Sequence, residues 1–135
     1  MKSSTSATSD PVREAVSRYA AAWLAGDRTV MLASYHDDFT LHYFGSNPLA
    51  GVHRGKPAAL AILAEVTRRT NRKLLGIVDV MAEPERGALL VRELFNRDGK
   101  TAEVERLLVY SVGDGLLREC WVYDQDQALV DGYLA

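Results

Sequence analysis

"RYAAAWLAGDRTVMLASYHDDFTLHYFG" runs from Arg18 to Gly45, and the point at which its period changes decides the fold. Toward its start, and in the residues just before it, Val12, Val16, Tyr19, Ala20, Trp23 and Leu24 fall on one stripe at helical spacing. Asp10-Pro11 opens this helix, with Asp as N-cap and Pro at the first helical position. Gly26 stops it, and Asp27 caps a shorter helix that reaches about Ser34 through Val30, Met31 and Leu32. Beyond that the period drops to two. Phe39, Leu41 and Tyr43 alternate with Thr40 and His42, which is a strand signal.

Working outward, Gly45 to Gly55 reads as a polar loop, and a third helix follows from about Pro57 to Arg69 with Leu60, Leu63 and Val66 on one side. The remainder is strand-like. "KLLGIVDVMAE" ends at Pro84, and "GALLVRELFN", "TAEVERLLVYSV" and "LLRECWVYD" are joined by "NRDGK" and "GDG", which read as hairpin turns. "QDQALVDGYLA" makes one short terminal helix. Helices first and an antiparallel meander afterwards give an α+β domain with helices on one face of a curved sheet. Such a sheet leaves a concave, partly apolar cavity of the kind that binds small molecules.

The bulk properties set the outer bounds. At 135 residues the chain holds one domain, read as residues 10–135 behind a disordered tail, residues 1–9, that lacks the apolar middle of a secretory signal. A formal net charge of −2 gives no support to a nucleic-acid partner or a membrane surface, and no apolar run approaches a membrane span. Cys120 is the only cysteine, so no internal disulfide forms, which suits a reducing cytoplasm. His36, His42 and His53 match no ligand spacing for a metal. Neither a metal nor another cofactor is expected.

Strand alternation nominates the inward residues. If Leu108 faces the cavity, so do Arg106 and Val104, and the hairpin register brings Val91, Glu93 and Phe95 to the same face. Glu93 and Arg106 are then adjacent charges in an apolar lining, which must pair to be tolerated there. On the first strand either His42 or Tyr43 faces inward, as a general base or as a hydrogen-bond donor. Asp37 and Asp38 point to opposite faces and suit turn duty. Trp23 lines the cavity wall, and Cys120 is a small filler with no base beside it to activate it.

The ordered set of helix, "AGD", helix, "YHDDF", strand, "NPLAGVHRG" and helix resembles the nuclear transport factor 2-like superfamily, and within it the SnoaL-like polyketide cyclase and ketosteroid isomerase-related group. The resemblance covers about Pro11 to Leu134. It implies a cone-shaped α+β barrel with a pocket between the first helices and the sheet, often as homodimers, a contact that Trp121 and Tyr123 on the outward face of the last strand would serve. It implies that Tyr19 donates a hydrogen bond to a substrate oxygen and that Tyr35 supports it. Where the isomerases carry a base, Tyr43 stands beside His42; where they carry a protonated aspartate, Leu108 stands. Cyclases of the group often show a "HWD"-like segment, and here Cys120-Trp121-Val122 keeps only the tryptophan. Limonene-epoxide hydrolase-like relatives use an Asp-Arg-Asp set, of which Arg106 matches the arginine, with Asp124 as a nearby carboxylate.

Together these readings give an expected function. The leading one is a cofactor-free enzyme of secondary metabolism that cyclises or isomerises an apolar, oxygenated substrate. Tyr19 holds the oxygen, His42 or Glu93 is the base, and Arg106 stabilises negative charge. Trp23, Tyr35, Phe39, Tyr43, Val91, Phe95, Leu108, Cys120 and Val122 line the pocket. An epoxide hydrolase using Arg106 with Glu93 or Asp124, and a non-catalytic ligand-binding or dimerisation module, are the alternatives.

Overall fold

The change of period near Ser34 is a change of layer. In a computed structural model, which describes residues 8–135, two helices, α1 (Asp10–Ala25) and α2 (Arg28–Ala33), precede β1 (Tyr35–Tyr43). A short β2 (Gly51–Arg54), α3 (Lys56–Thr70), β3 (Lys73–Ala82), β4 (Arg86–Arg97), β5 (Lys100–Gly113), β6 (Leu116–Asp124) and α4 (Gln127–Leu134) follow. The strands make one six-stranded sheet in the order β2-β1-β6-β5-β4-β3. All neighbours are antiparallel except β1 and β6. The fold is the α+β cone expected. Most of the tail expected over residues 1–9 lies outside the described residues.

Three local expectations shift. Asp10 is the first helical residue and not the cap; Ser9 stands at the N-cap without a side-chain bond, so Asp10 acts on the positive end of the helix from within its first turn. The strand begins at Tyr35, four residues earlier than the alternation shows, because a register shift between Tyr35 and Thr40 breaks the period there. The polar loop contains β2, which pairs with β1 from Thr40↔Arg54 to Tyr43↔Gly51. Elsewhere the turn chemistry holds. Asp27 accepts from the Val30 amide at 3.1 Å, and Asp98-Gly99 and Asp114-Gly115 take the left-handed conformations of tight hairpins.

Concave-face residues form the core, among them Phe39, Leu41, Leu89, Phe95 and Leu117, each at most 1% exposed. The helix α1 lies directly on this face at Gly87, where a Cβ would come 2.6 Å from Val16 Cγ2 and 2.9 Å from Val12 Cγ1. Gly87→Ala therefore overpacks the α1–sheet contact. It should lower stability by about 1–3 kcal/mol, read as a lower urea midpoint with unchanged slope; an unchanged midpoint would mean that α1 yields without cost.

On the convex face His42 stacks on Trp121 with ring centroids 4.8 Å apart, Arg86 lies over the same indole at 4.4 Å, and Phe44 packs on Tyr123 at 5.1 Å. Trp121 and Tyr123 thus stand on the outward face, as the alternation requires. Among the described residues no helix is long and apolar enough to cross a membrane.

Candidate functional site

Between the concave face and the helices lies a cavity of about 400 Å³, within the ~300–1,000 Å³ usual for small-molecule sites. Helix α1 contributes Tyr19 and Trp23, and α2 contributes Met31 and Leu32. Leu60, Leu63 and Thr67 come from α3, and the strands supply Tyr35, Phe39 and Leu41. Tyr43, Leu108, Tyr110, Cys120 and Val122 form more of the sheet wall. The sheet residues reach the cavity by simple alternation: Leu41 and Tyr43 on β1, Arg106, Leu108 and Tyr110 on β5, Cys120 and Val122 on β6. In register, Leu108 pairs with Val122, and Tyr110 with Cys120.

Two hydroxyl groups meet at one end. The Tyr19 and Tyr35 oxygens are 2.5 Å apart, so one donates to the other and the second keeps its proton for a third partner. Their rings meet edge to face at 5.3 Å, and Trp23 packs on Tyr19 at 5.9 Å. Burial pushes Tyr19 up to about 12, although its bond to Tyr35 pulls the other way. Burial, reinforced by Tyr19, raises Tyr35 as well. Both stay neutral donors at ordinary pH.

At the floor Arg106, with its side chain 1% exposed, holds the charged cluster together. Its Nε donates to Asp124 Oδ1 at 2.6 Å, Nη1 to Glu93 Oε1 at 3.2 Å and Nη2 to Tyr43 Oη at 2.6 Å. Asp124 faces it directly in the β5–β6 register. Burial pulls the guanidinium down, but Tyr43, Glu93 and Asp124 outweigh it and hold the group above its ordinary value, permanently charged. Burial raises the Asp124 carboxyl against the pull of Arg106. Since Tyr43 accepts from Arg106, its own O–H remains to donate, and burial raises that phenol too.

Several expectations change here. His42 does not enter the cavity. Its alternation partners Phe39, Leu41 and Tyr43 are buried inward, so His42 faces out, where it shares a hydrogen bond with Glu119 at 2.9 Å. Tyr43 is the inward residue of that pair. Glu93 and Asp124 face inward but do not border the cavity, because both lie against Arg106. Val91 and Phe95 are fully buried core residues and not lining; Phe95 is covered by Tyr133 of α4, ring to ring at 5.7 Å. Cys120 does line the wall, and burial pushes its thiol up to about 12, which leaves it without nucleophilic character. The wall carries no Asp, Glu, His or Lys among the described residues.

This geometry agrees with the comparisons to known proteins. A family model described as a SnoaL-like domain matches residues 16–120. The chain belongs to the SnoaL-like family. No curated protein matches it by sequence. Among solved structures, this SnoaL-like chain is similar to Bal32a from a soil-derived mobile gene cassette, at 22% identity and a TM-score of 0.83 over 94% of this chain and 98% of that one. It is similar to RV0760c from Mycobacterium tuberculosis in complex with estradiol-17beta-hemisuccinate, at 23% identity and a TM-score of 0.66 over 84% and 92%. It is also similar to TerC co-crystallised with polyporic acid, at 17% identity and a TM-score of 0.76 over 92% and 98%. At these identities the likeness speaks for the nuclear transport factor 2-like fold.

The SnoaL-like pocket also contains residues that sequence reasoning passed over. Tyr110 was legible, since it is two residues beyond Leu108 on the same strand face. Arg72 was not. It follows Asn71, which takes the left-handed conformation at the end of α3, and that turn sends the next side chain back to the cavity. Arg28 reaches the rim from the first turn of α2.

Proposed function

We propose that this SnoaL-like protein binds an apolar small molecule with acceptor oxygens in its cone. A single observation supports this best: the wall is aromatic and aliphatic, its polar groups are hydroxyl and guanidinium donors beside the Cys120 thiol, and among the described residues no carboxylate or imidazole borders it. Tyr43 and one of the Tyr19–Tyr35 pair offer donated protons to a carbonyl or ether oxygen. That the relatives RV0760c and TerC were seen with estradiol-17beta-hemisuccinate and polyporic acid fits a ligand of fused or linked rings bearing oxygen.

The cyclase or isomerase reading keeps half its machinery. Tyr19 and Arg106 would polarise a carbonyl, but the two bases considered, His42 and Glu93, stand respectively outside the cone and against Arg106. Proton abstraction needs a base within hydrogen-bond reach of the substrate, so ligand binding is the function that the geometry favours. A hydrolase reading draws on two contacts of one atom: Arg106 Nη2 donates to Tyr43 Oη, at 2.6 Å, and to Asp124 Oδ2, at 3.3 Å. It requires oxygen-18 from water to appear in a diol product.

Tryptophan fluorescence tests the binding reading without a label. Trp23 lines the cavity and Trp121 lies on the opposite face of the sheet, so Trp121→Phe leaves one reporter in the site. Micromolar cyclic enones, polycyclic phenols or quinones should quench or shift Trp23 emission saturably. Emission unchanged across that panel, with calorimetry equally silent, would remove small-molecule binding as the function.

A further inference from the structure

Resting on that reading, we propose that the ligand is an anion: an apolar ring system carrying one planar oxyanion group, a carboxylate or an enolate of similar shape, received by Arg72. Three guanidinium groups border the cavity, those of Arg28, Arg72 and Arg106. Two carboxylates oppose them, and both are committed to Arg106, Glu93 at 3.2 Å and Asp124 at 2.6 Å. Arg72 reaches only the far oxygen of Glu93, Nη1 to Oε2 at 3.6 Å, beyond hydrogen-bond distance. Its other contacts are neutral, Nε to the Thr67 hydroxyl at 2.9 Å and Nη2 to the Leu63 carbonyl at 3.4 Å. Arg28 has no ion pair among the described residues. The four inner charges of Arg72, Arg106, Glu93 and Asp124 cancel, Arg28 adds a positive one, and the carboxylates lie off the wall. The cavity therefore presents the positive side of the cluster.

Arg72 is suited to such a ligand in shape as well as sign. A guanidinium carries five donors in a planar fork that matches a carboxylate, and bonds to the neighbouring threonine and carbonyl fix the fork in place while leaving Nη1 without a close partner. The phenol O–H of Tyr43 supplies a neutral donor across the floor. In a half-enclosed, aromatic-walled site an ion is poorly screened by water, so the attraction is stronger than at a free surface. A neutral ketone would use the hydroxyl donors alone and leave the positive potential unanswered.

The test is calorimetric, with 2-naphthoate, an anion, and 2-naphthamide, a neutral molecule of nearly equal shape, as probes. At neutral pH and low salt the wild-type protein should bind naphthoate about tenfold more tightly than naphthamide or better, the increment of a charge-assisted hydrogen bond. Arg72→Met should bring the two affinities together, and Arg72→Lys, which keeps the charge but loses the fork, should retain part of the preference. Should Arg72→Met fail to fold by circular dichroism, Arg72→Lys decides: with the charge kept and the fork lost, the preference for naphthoate must fall, and a preference left whole overturns the inference. Equal binding of both probes, or a preference that survives Arg72→Met, overturns the inference and leaves the binding reading standing. Binding of neither probe overturns both.

Discussion

Arg106→Met should cost this fold about 3–5 kcal/mol at neutral pH, the usual penalty for removing one partner of a buried ion pair. The side chain is a large, fully buried one whose neighbours are chosen for its charge: Glu93, Asp124 and the Tyr43 hydroxyl, with the Tyr43 and Phe95 rings 5.5 and 5.6 Å from the guanidinium carbon. Methionine fills much of the space but leaves Glu93 and Asp124 with side chains only 2% and 3% exposed. The sign of the pH dependence follows from Asp124. Burial already raises its carboxyl against the pull of Arg106, so losing that pull raises it further. An acid with a folded pKa above its unfolded value binds more protons when folded. The unfolded state is common to both proteins, so the variant's deficit is smallest at acid pH and grows as pH rises from Asp124's already raised wild-type value to its higher value in the variant. Urea unfolding of both proteins at acid and neutral pH reads this directly. A deficit independent of pH would mean that the loss is packing and not charge.

Replacing the whole cluster by apolar groups behaves differently from breaking it. Glu93→Leu, Arg106→Met and Asp124→Leu together remove the fully buried charges, a treatment that is often neutral or stabilising for buried triads, and leave only the partly exposed Arg72 without its carboxylate partner. Urea unfolding of the triple variant at neutral pH reads the outcome: stability at or above wild type would mean that the cluster is kept for the cavity and not for the fold.

The fold was legible because its signals are local and repeated. The change from a helical stripe to alternation at Phe39, the Asp-Gly turns and the spacing of four later strands admit few arrangements, and the β4–β5 register that pairs Val91 with Arg106 and Glu93 with Val104 follows from the turn between them. The same alternation assigns Tyr43 to the side of Phe39 and Leu41, so the outward position of His42 was present in the residues, although the chance of a one-residue slip of register left it open. What alternation cannot give is whether an inward side chain meets empty space or another side chain. Phe95 and Leu108 are both inward on neighbouring strands, yet α4 closes over the first and only the cavity covers the second. Arg72 was hidden for a different reason. Its direction is set by the single left-handed residue before it, and no periodic pattern passes through such a point.

Leu108→Asp should turn the binding site into a proton-transfer site. Leu108 is 8% exposed, borders the cavity and lies two residues from Arg106 on the same strand face. A carboxylate here would be partly desolvated, which raises its pKa and its strength as a base near neutral pH. Tyr43 and one of the Tyr19–Tyr35 pair already offer the donors that stabilise an enolate oxygen. The wild type, with no base on the wall, should exchange the α-protons of a bound cyclic enone in deuterated buffer no faster than buffer does. The variant should accelerate the exchange about a hundredfold, toward the lower end of the ~10²–10⁴ that a positioned base contributes, with a rate that rises through the pKa of the new carboxyl. Proton NMR measures both, and circular dichroism checks that the variant folds. Fast exchange by the wild type would reveal a base that the cavity geometry does not display and would restore the isomerase reading. Folded Leu108→Asp protein that binds enone and still fails to exchange it would mean that the ligand lies with its acidic carbon away from β5, which moves the reacting end of any substrate toward the helices that close the cavity.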